Sequence, residues 1–141
     1  MTQQFIFAFI GTLSFCVLFK APKGEIIFCG LTGALAWLLY CVLINKFSAF
    51  VSVFISVVSV GVLSKILSVR RKMPLTVFII AGIMPFAPGG VIYNSIYMLI
   101  MGDTAASLAK AIETIKTACT ISIALVVVLA IPNNIFKPFK T

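Results

Sequence analysis

The sequence predicts an all-α integral membrane protein of about five transmembrane helices, the fourth interrupted at residues 85–90. Three observations carry this reading. Apolar residues make up 62% of the 141-residue chain and charged residues 10%, where a soluble domain has ~45–50% and ~25%. Mean hydropathy is +1.21. The apolar residues also fall in runs long enough to cross ~30 Å of hydrocarbon, which takes about 20 helical residues. Eleven basic and three acidic side chains cannot cover a water-soluble fold this apolar. Residues 1–141 are read as one transmembrane domain.

The first run, 3–19, has no basic residue ahead of it, and its first charge, Lys20, follows the apolar stretch. That is the reverse of a cleaved signal peptide and favours an outside amino terminus. The second run, 26–44, carries Gly30, Gly33 and Ala34, small residues that let helices approach. The third, 47–69, is rich in Val and Ile and would read as strand in water. Its length decides for helix, because an open strand cannot satisfy its backbone in lipid. Ser48, Ser52 and Ser56 recur at four-residue spacing, with Ser59 next. They make either a close-packing face or the polar lining of a path. Lys65 lies one turn from the basic end of this run. Its ammonium is expected to snorkel to the surface, with a hold on a substrate carboxylate as the alternative.

The fourth run, 75–101, is the informative one. Unbroken, it would reach ~40 Å, too long for one crossing and too short for two. Inside it stands Met84-Pro85-Phe86-Ala87-Pro88-Gly89-Gly90. Pro85 and Pro88 have no N–H, so the carbonyls of Ala81 and Met84 lose their helical donors. Gly89 and Gly90 accept dihedrals that other residues resist. A helix restarting near Val91 would present free amides and the positive end of its dipole. Counted from residue 75, the break lies ~15–22 Å in, near the bilayer midplane. Non-helical backbone at that depth is buried in protein or lines a wet cavity, and half-helix amino termini suit a carboxylate. Tyr93, Asn94, Ser95 and Tyr97 follow at once. The candidate substrate-binding residues are therefore Pro85, Pro88, Gly89, Gly90, Tyr93, Asn94 and Tyr97. One interrupted crossing fits best; a re-entrant pair of half-helices and a purely structural proline kink are the alternatives.

Residues 103–116 turn amphipathic ahead of a fifth crossing at 117–131. Ala105, Leu108, Ala109, Ile112 and Ile115 share one face, with Lys110, Glu113 and Lys116 off it. Asp103 suits a helix start. This stretch reads as a solvated mouth, with Asp103 and Lys110 as candidate gate or entrance residues that attract anions.

Five crossings sort the basic residues. Lys20, Lys23, Lys65, Arg70, Arg71, Lys72, Lys137 and Lys140 fall on one side, and Lys46, Lys110 and Lys116 on the other. The positive-inside rule then puts the carboxyl terminus in the cytoplasm and the amino terminus outside. The net charge of +8 thus reports membrane loops and not nucleic acid. The chain has no His, and its acids are Glu25, Asp103 and Glu113. Cys16, Cys29, Cys41 and Cys119 form no CxxC and sit in apolar runs. No GxxxxGK[ST] loop occurs. This inventory calls for no metal, no cofactor and no enzyme chemistry.

Arg70-Arg71-Lys72-Met73-Pro74, then Ile83-Met84-Pro85-Phe86-Ala87-Pro88-Gly89-Gly90, Tyr93 and Gly102-Asp103, resemble the threonine/serine exporter family. The likeness is to the family's small four-to-five-span half, in its separate-subunit form, similar to the small subunit of a two-component bacterial succinate exporter. It is strongest from Lys65 to Asp103; Ala87 and Gly90 stand where bulkier or hydroxyl residues are expected. The resemblance implies export of small hydrophilic acids, threonine and serine or a dicarboxylate such as succinate. It also implies a larger membrane subunit of the same family as partner. Bilayer lipid and a small-molecule substrate complete the expected partners, with a homo-oligomer as a further arrangement. The competing reading is a non-transporting structural membrane subunit that stabilises a larger partner.

Overall fold

A computed structural model describes residues 2–132. Lys137 and Lys140, two of the eight residues assigned to the basic side, lie outside the described residues. The described chain is all-helical, with no strand. The helices are α1 (Thr2–Leu18), α2 (Ile26–Leu43), α3 (Ala49–Arg71), α4 (Leu75–Ile83), α5 (Gly89–Ile100) and α6 (Thr104–Ala130). A single 3₁₀ turn, Met84–Phe86, follows α4. By length and apolarity α2, α3 and α6 can each cross a membrane, and the bent pair α4–α5 makes a fourth candidate. The apolar stretch of α1, Gln3–Leu18, is shorter.

The Val- and Ile-rich third run is helical, as the lipid constraint requires. α1 packs on α2, α2 on α3 and α4, and α3 on α4 and α6, while α5 packs on α6. Small residues set these contacts. A Cβ on Gly33 would lie 2.5 Å from Thr12 Oγ1 of α1, and one on Gly82 would lie 2.6 Å from Val60. A Cβ on Gly61 would lie 2.7 and 2.9 Å from Val128 Cγ1 and Cβ of α6. Ser52, Ser56 and Ser64 of α3 are fully buried. Ser52 returns its hydroxyl to the Ser48 carbonyl at 3.0 Å. Close packing, not a wet path, is what this part of the stripe serves.

Two features go beyond expectation. Residues 104–116 are continuous with the fifth crossing, as the first half of a 27-residue α6. No Gly or Pro stands between Thr104 and Ala130 to stop the helix. The change in composition near residue 117 appears as a change of neighbour. The first half lies against α5, and Ile121, Ala124 and Leu125 join the core of Ala36, Val53, Val57, Val60 and Phe86.

Lys65, expected to snorkel, is buried at 2% exposure. Its ammonium donates to the carbonyl of Leu129 at 3.4 Å and to that of Ile131. The last carbonyls of α6 lack intrahelical donors and carry the negative end of the dipole, so they are a nearer destination than water. At the same end of the bundle Arg71 grips buried Glu25. Its Nε donates to both carboxylate oxygens at 3.1 and 3.0 Å, and its guanidinium lies 4.5 Å from the Phe28 ring centroid.

Gly61→Ala should cost about 1–3 kcal/mol by overpacking against the stiff Val128 side chain. Val128→Ala in the same chain should recover much of that loss. Thermal unfolding in detergent reads both, and an unchanged midpoint for Gly61→Ala alone would contradict the close approach of α3 and α6.

Candidate functional site

The break occurs where the two prolines stand. α4 ends at Ile83, and the segments Leu75–Phe86 and Gly89–Ile100 meet at a 44° bend. The carbonyls that the prolines deprive do not stay unpaired. The Met84 amide donates to Ala81, and the Ala87 amide donates to Met84 at 3.1 Å. The backbone thus tightens into a 3₁₀ turn. α5 restarts at Gly89, two residues before the expected Val91, with Pro88 as its N-cap and no side chain capping it. Neither Gly89 nor Gly90 takes a left-handed φ, and a Cβ on either would meet open space. The prolines, not unusual glycine dihedrals, make the break; the glycines keep its surroundings empty.

That empty space is a cavity of about 330 Å³, within the usual range of ligand pockets, ~300–1,000 Å³. Pro85, Phe86 and Pro88 supply one wall and Gly90, Val91 and Asn94 the start of α5. Trp37 and Tyr40 of α2 and Phe50 of α3 close the apolar side, while Glu113 and Thr117 come from α6. The rings of Trp37, Tyr40 and Phe86 form one cluster, with centroids 5.2 to 6.0 Å apart.

The α5–α6 register explains why Glu113 arrives there. Ser95 and Ser107 exchange hydrogen bonds, each hydroxyl donating to the other's carbonyl at 2.8 Å. Counted outward from that pair in an antiparallel hairpin, six residues lead back to Gly89 on α5 and on to Glu113 on α6. Glu113 therefore stands level with the restart of the broken helix. Lys110 Nζ lies 2.7 Å from Glu113 Oε2, and both side chains are partly exposed, at 39% and 44%.

Of the seven residues expected to bind substrate, Pro85, Pro88, Gly90 and Asn94 line this cavity, and Gly89 opens α5 beside it. Tyr93 and Tyr97 are not among its lining residues. They are 67% and 48% exposed and stack on each other with centroids 6.3 Å apart. Asp103 caps α6, accepting the Ala106 amide at 2.9 Å, and Lys110 is ion-paired one turn from the cavity. Sequence reasoning missed Trp37, Tyr40, Phe50, Glu113 and Thr117. The available signal for Glu113 was the absence of any helix breaker between it and the fifth apolar run.

A family model described as Threonine/Serine exporter matches residues 4–131. The chain belongs to the threonine/serine exporter family. The motifs from Lys65 to Asp103 pointed to this family, and an exporter family of apolar helical chains places the protein in a membrane. A "probable threonine/serine exporter" of Mycobacterium tuberculosis is 31% identical over 100 residues, covering 70% of this chain and 19% of that protein. The chain therefore spans about a fifth of that relative's length. No solved structure matches it.

Gly90→Val should fill the cavity without disturbing the helix start, since its Cβ meets no neighbour. Stability should stay within about 0.5 kcal/mol of wild type. A Thr117→Cys thiol, in a chain with Cys41 and Cys119 changed to Ser, should react with a small water-soluble maleimide. Adding Gly90→Val should slow that reaction severalfold. Equal rates would mean that residue 90 does not control access to the cavity.

Proposed function

We propose that this chain is the small subunit of a secondary exporter in the bacterial plasma membrane. Its cargo is a small hydrophilic acid, threonine or serine or a dicarboxylate such as succinate, which passes the broken helix. One observation carries the reading: in a chain of an exporter family, the break between α4 and α5 opens on a cavity that gathers Asn94, Glu113 and an uncapped helix start. The amides at the start of α5 and the Asn94 side chain offer donors to a carboxylate. The dipole contributes ~0.3–1 kcal/mol when exposed and up to ~2 when partly buried. Such weak binding suits a carrier that must release its load. Tyr93 and Tyr97, outside this cavity, are available to a neighbouring subunit. A larger family subunit would supply the remainder of the path, a reading supported by the much longer relative.

The orientation proposed is amino terminus outside and carboxyl terminus in the cytoplasm. It is supported by Lys20, Lys23, Arg70, Arg71 and Lys72, which all fall in the α1–α2 and α3–α4 connections or beside them. Single cysteines at Gln4 and Lys140 in a cysteine-free background check it. An impermeant maleimide on intact cells should label the first and spare the second; the reverse pattern would invert the topology.

The transport reading is checked by efflux from substrate-loaded cells that express both subunits at matched abundance. Asn94→Ala should weaken cargo dependence by up to about tenfold, the value of one lost hydrogen bond, and Gly90→Val should abolish efflux. Ser48→Ala should have less effect than Asn94→Ala. Liposomes holding this chain alone should move serine, threonine or succinate poorly. Wild-type efflux in both cavity variants would favour a subunit that only stabilises its partner.

A further inference from the structure

We propose that Glu113 receives a cationic amino group of the cargo, and that Lys110 is the internal ammonium that holds its place while the cavity is empty. This rests on the reading of the cavity as the cargo site and narrows it: the favoured cargo is a zwitterion, not a dicarboxylate. Glu113 is the one charged side chain among the described residues that line the cavity. Trp37, Tyr40 and Phe86 also line the cavity, clustered within 6.0 Å of one another. Aromatic faces attract ammonium groups. A dicarboxylate whose first carboxylate sat at the start of α5 and Asn94 would bring its second towards Glu113 and these rings. A zwitterion in the same pose brings its ammonium.

The ion pair is built for exchange. Lys110 approaches Glu113 from one helical turn away, at 2.7 Å, without itself lining the cavity. Both side chains are partly exposed, so neither is locked in place by packing. The lysine stem is flexible, so an incoming ammonium can take its place while Lys110 reaches towards the α5–α6 turn. The carboxylate keeps a positive partner in either state, so loading the site strands no charge beside the apolar wall.

The test is equilibrium dialysis of radiolabelled L-threonine against the chain in lipid nanodiscs. Ethanolamine, which has the amine without the carboxylate, and succinate serve as competitors. Glu113→Gln should weaken threonine binding about tenfold or more, as the loss of a charge-assisted hydrogen bond requires. Lys110→Gln should tighten it, because the competing ammonium is gone. Ethanolamine should compete and succinate should not. The gain in Lys110→Gln separates the proposal from simple misfolding. Unchanged affinity in Glu113→Gln, weaker binding in Lys110→Gln, or competition by succinate equal to that by ethanolamine would overturn it. In those cases the cavity keeps its role as cargo site. If wild type binds no threonine, or binding ignores both Asn94→Ala and Gly90→Val, the cavity reading falls and the role of Glu113 with it.

Discussion

In hydrocarbon every backbone N–H and C=O must find a partner within the protein. The arrangement around residues 84–88 follows from that demand. Pro85 and Pro88 take two donors out of a helix, and the chain answers by tightening. Met84 and Ala87 donate to Ala81 and Met84 respectively. A turn tightened in this way cannot continue the axis of α4, so the chain bends by 44°. α4 stays among α1, α2 and α3, whereas α5 leaves them and lies along α6. The space that opens at the parting is the cavity. Phe86, 5% exposed, pins the inner side of the turn to the core by packing against Trp37 and Tyr40.

α6 is what makes the departure of α5 affordable. One half of this helix supports α5 through the reciprocal Ser95–Ser107 bonds. The other returns to the bundle and rests on α3, where Gly61 leaves room for Val128. A single rigid element thereby fixes the distance between the broken helix and the core. It also fixes the height of Glu113, because the hairpin register leaves no freedom to slide. The charged pair at the cavity is thus a consequence of helix packing.

Two cations at the opposite end of the bundle help to hold it together. Arg71 ties the start of α2 to the end of α3 through Glu25, and Lys65 ties α3 to the end of α6. A buried carboxylate and a set of unpaired helix-end carbonyls are both costly in an apolar medium. Each cation removes one of these costs while joining two helices. Positive charge in this chain therefore does more than orient it, since part of it closes the bundle.

The sequence by itself determined the class of the fold, the family and the location of the break. Those depend on composition, run length and the missing proline N–H groups, which are local properties of the chain. It also marked Pro85, Pro88, Gly90 and Asn94, because residues next to a break border whatever space the break opens. It could not decide which way Tyr93 and Tyr97 face, since three- and four-residue spacing fixes a shared side but not what that side meets. It did not show that residues 104–116 run unbroken into the fifth crossing with α5 alongside. The destination of Lys65 lay 64 residues away in the chain. Trp37, Tyr40, Phe50 and Glu113 are gathered from three separate helices. Contacts between distant residues follow from how helices cross and in what register, and only the tertiary structure decides that.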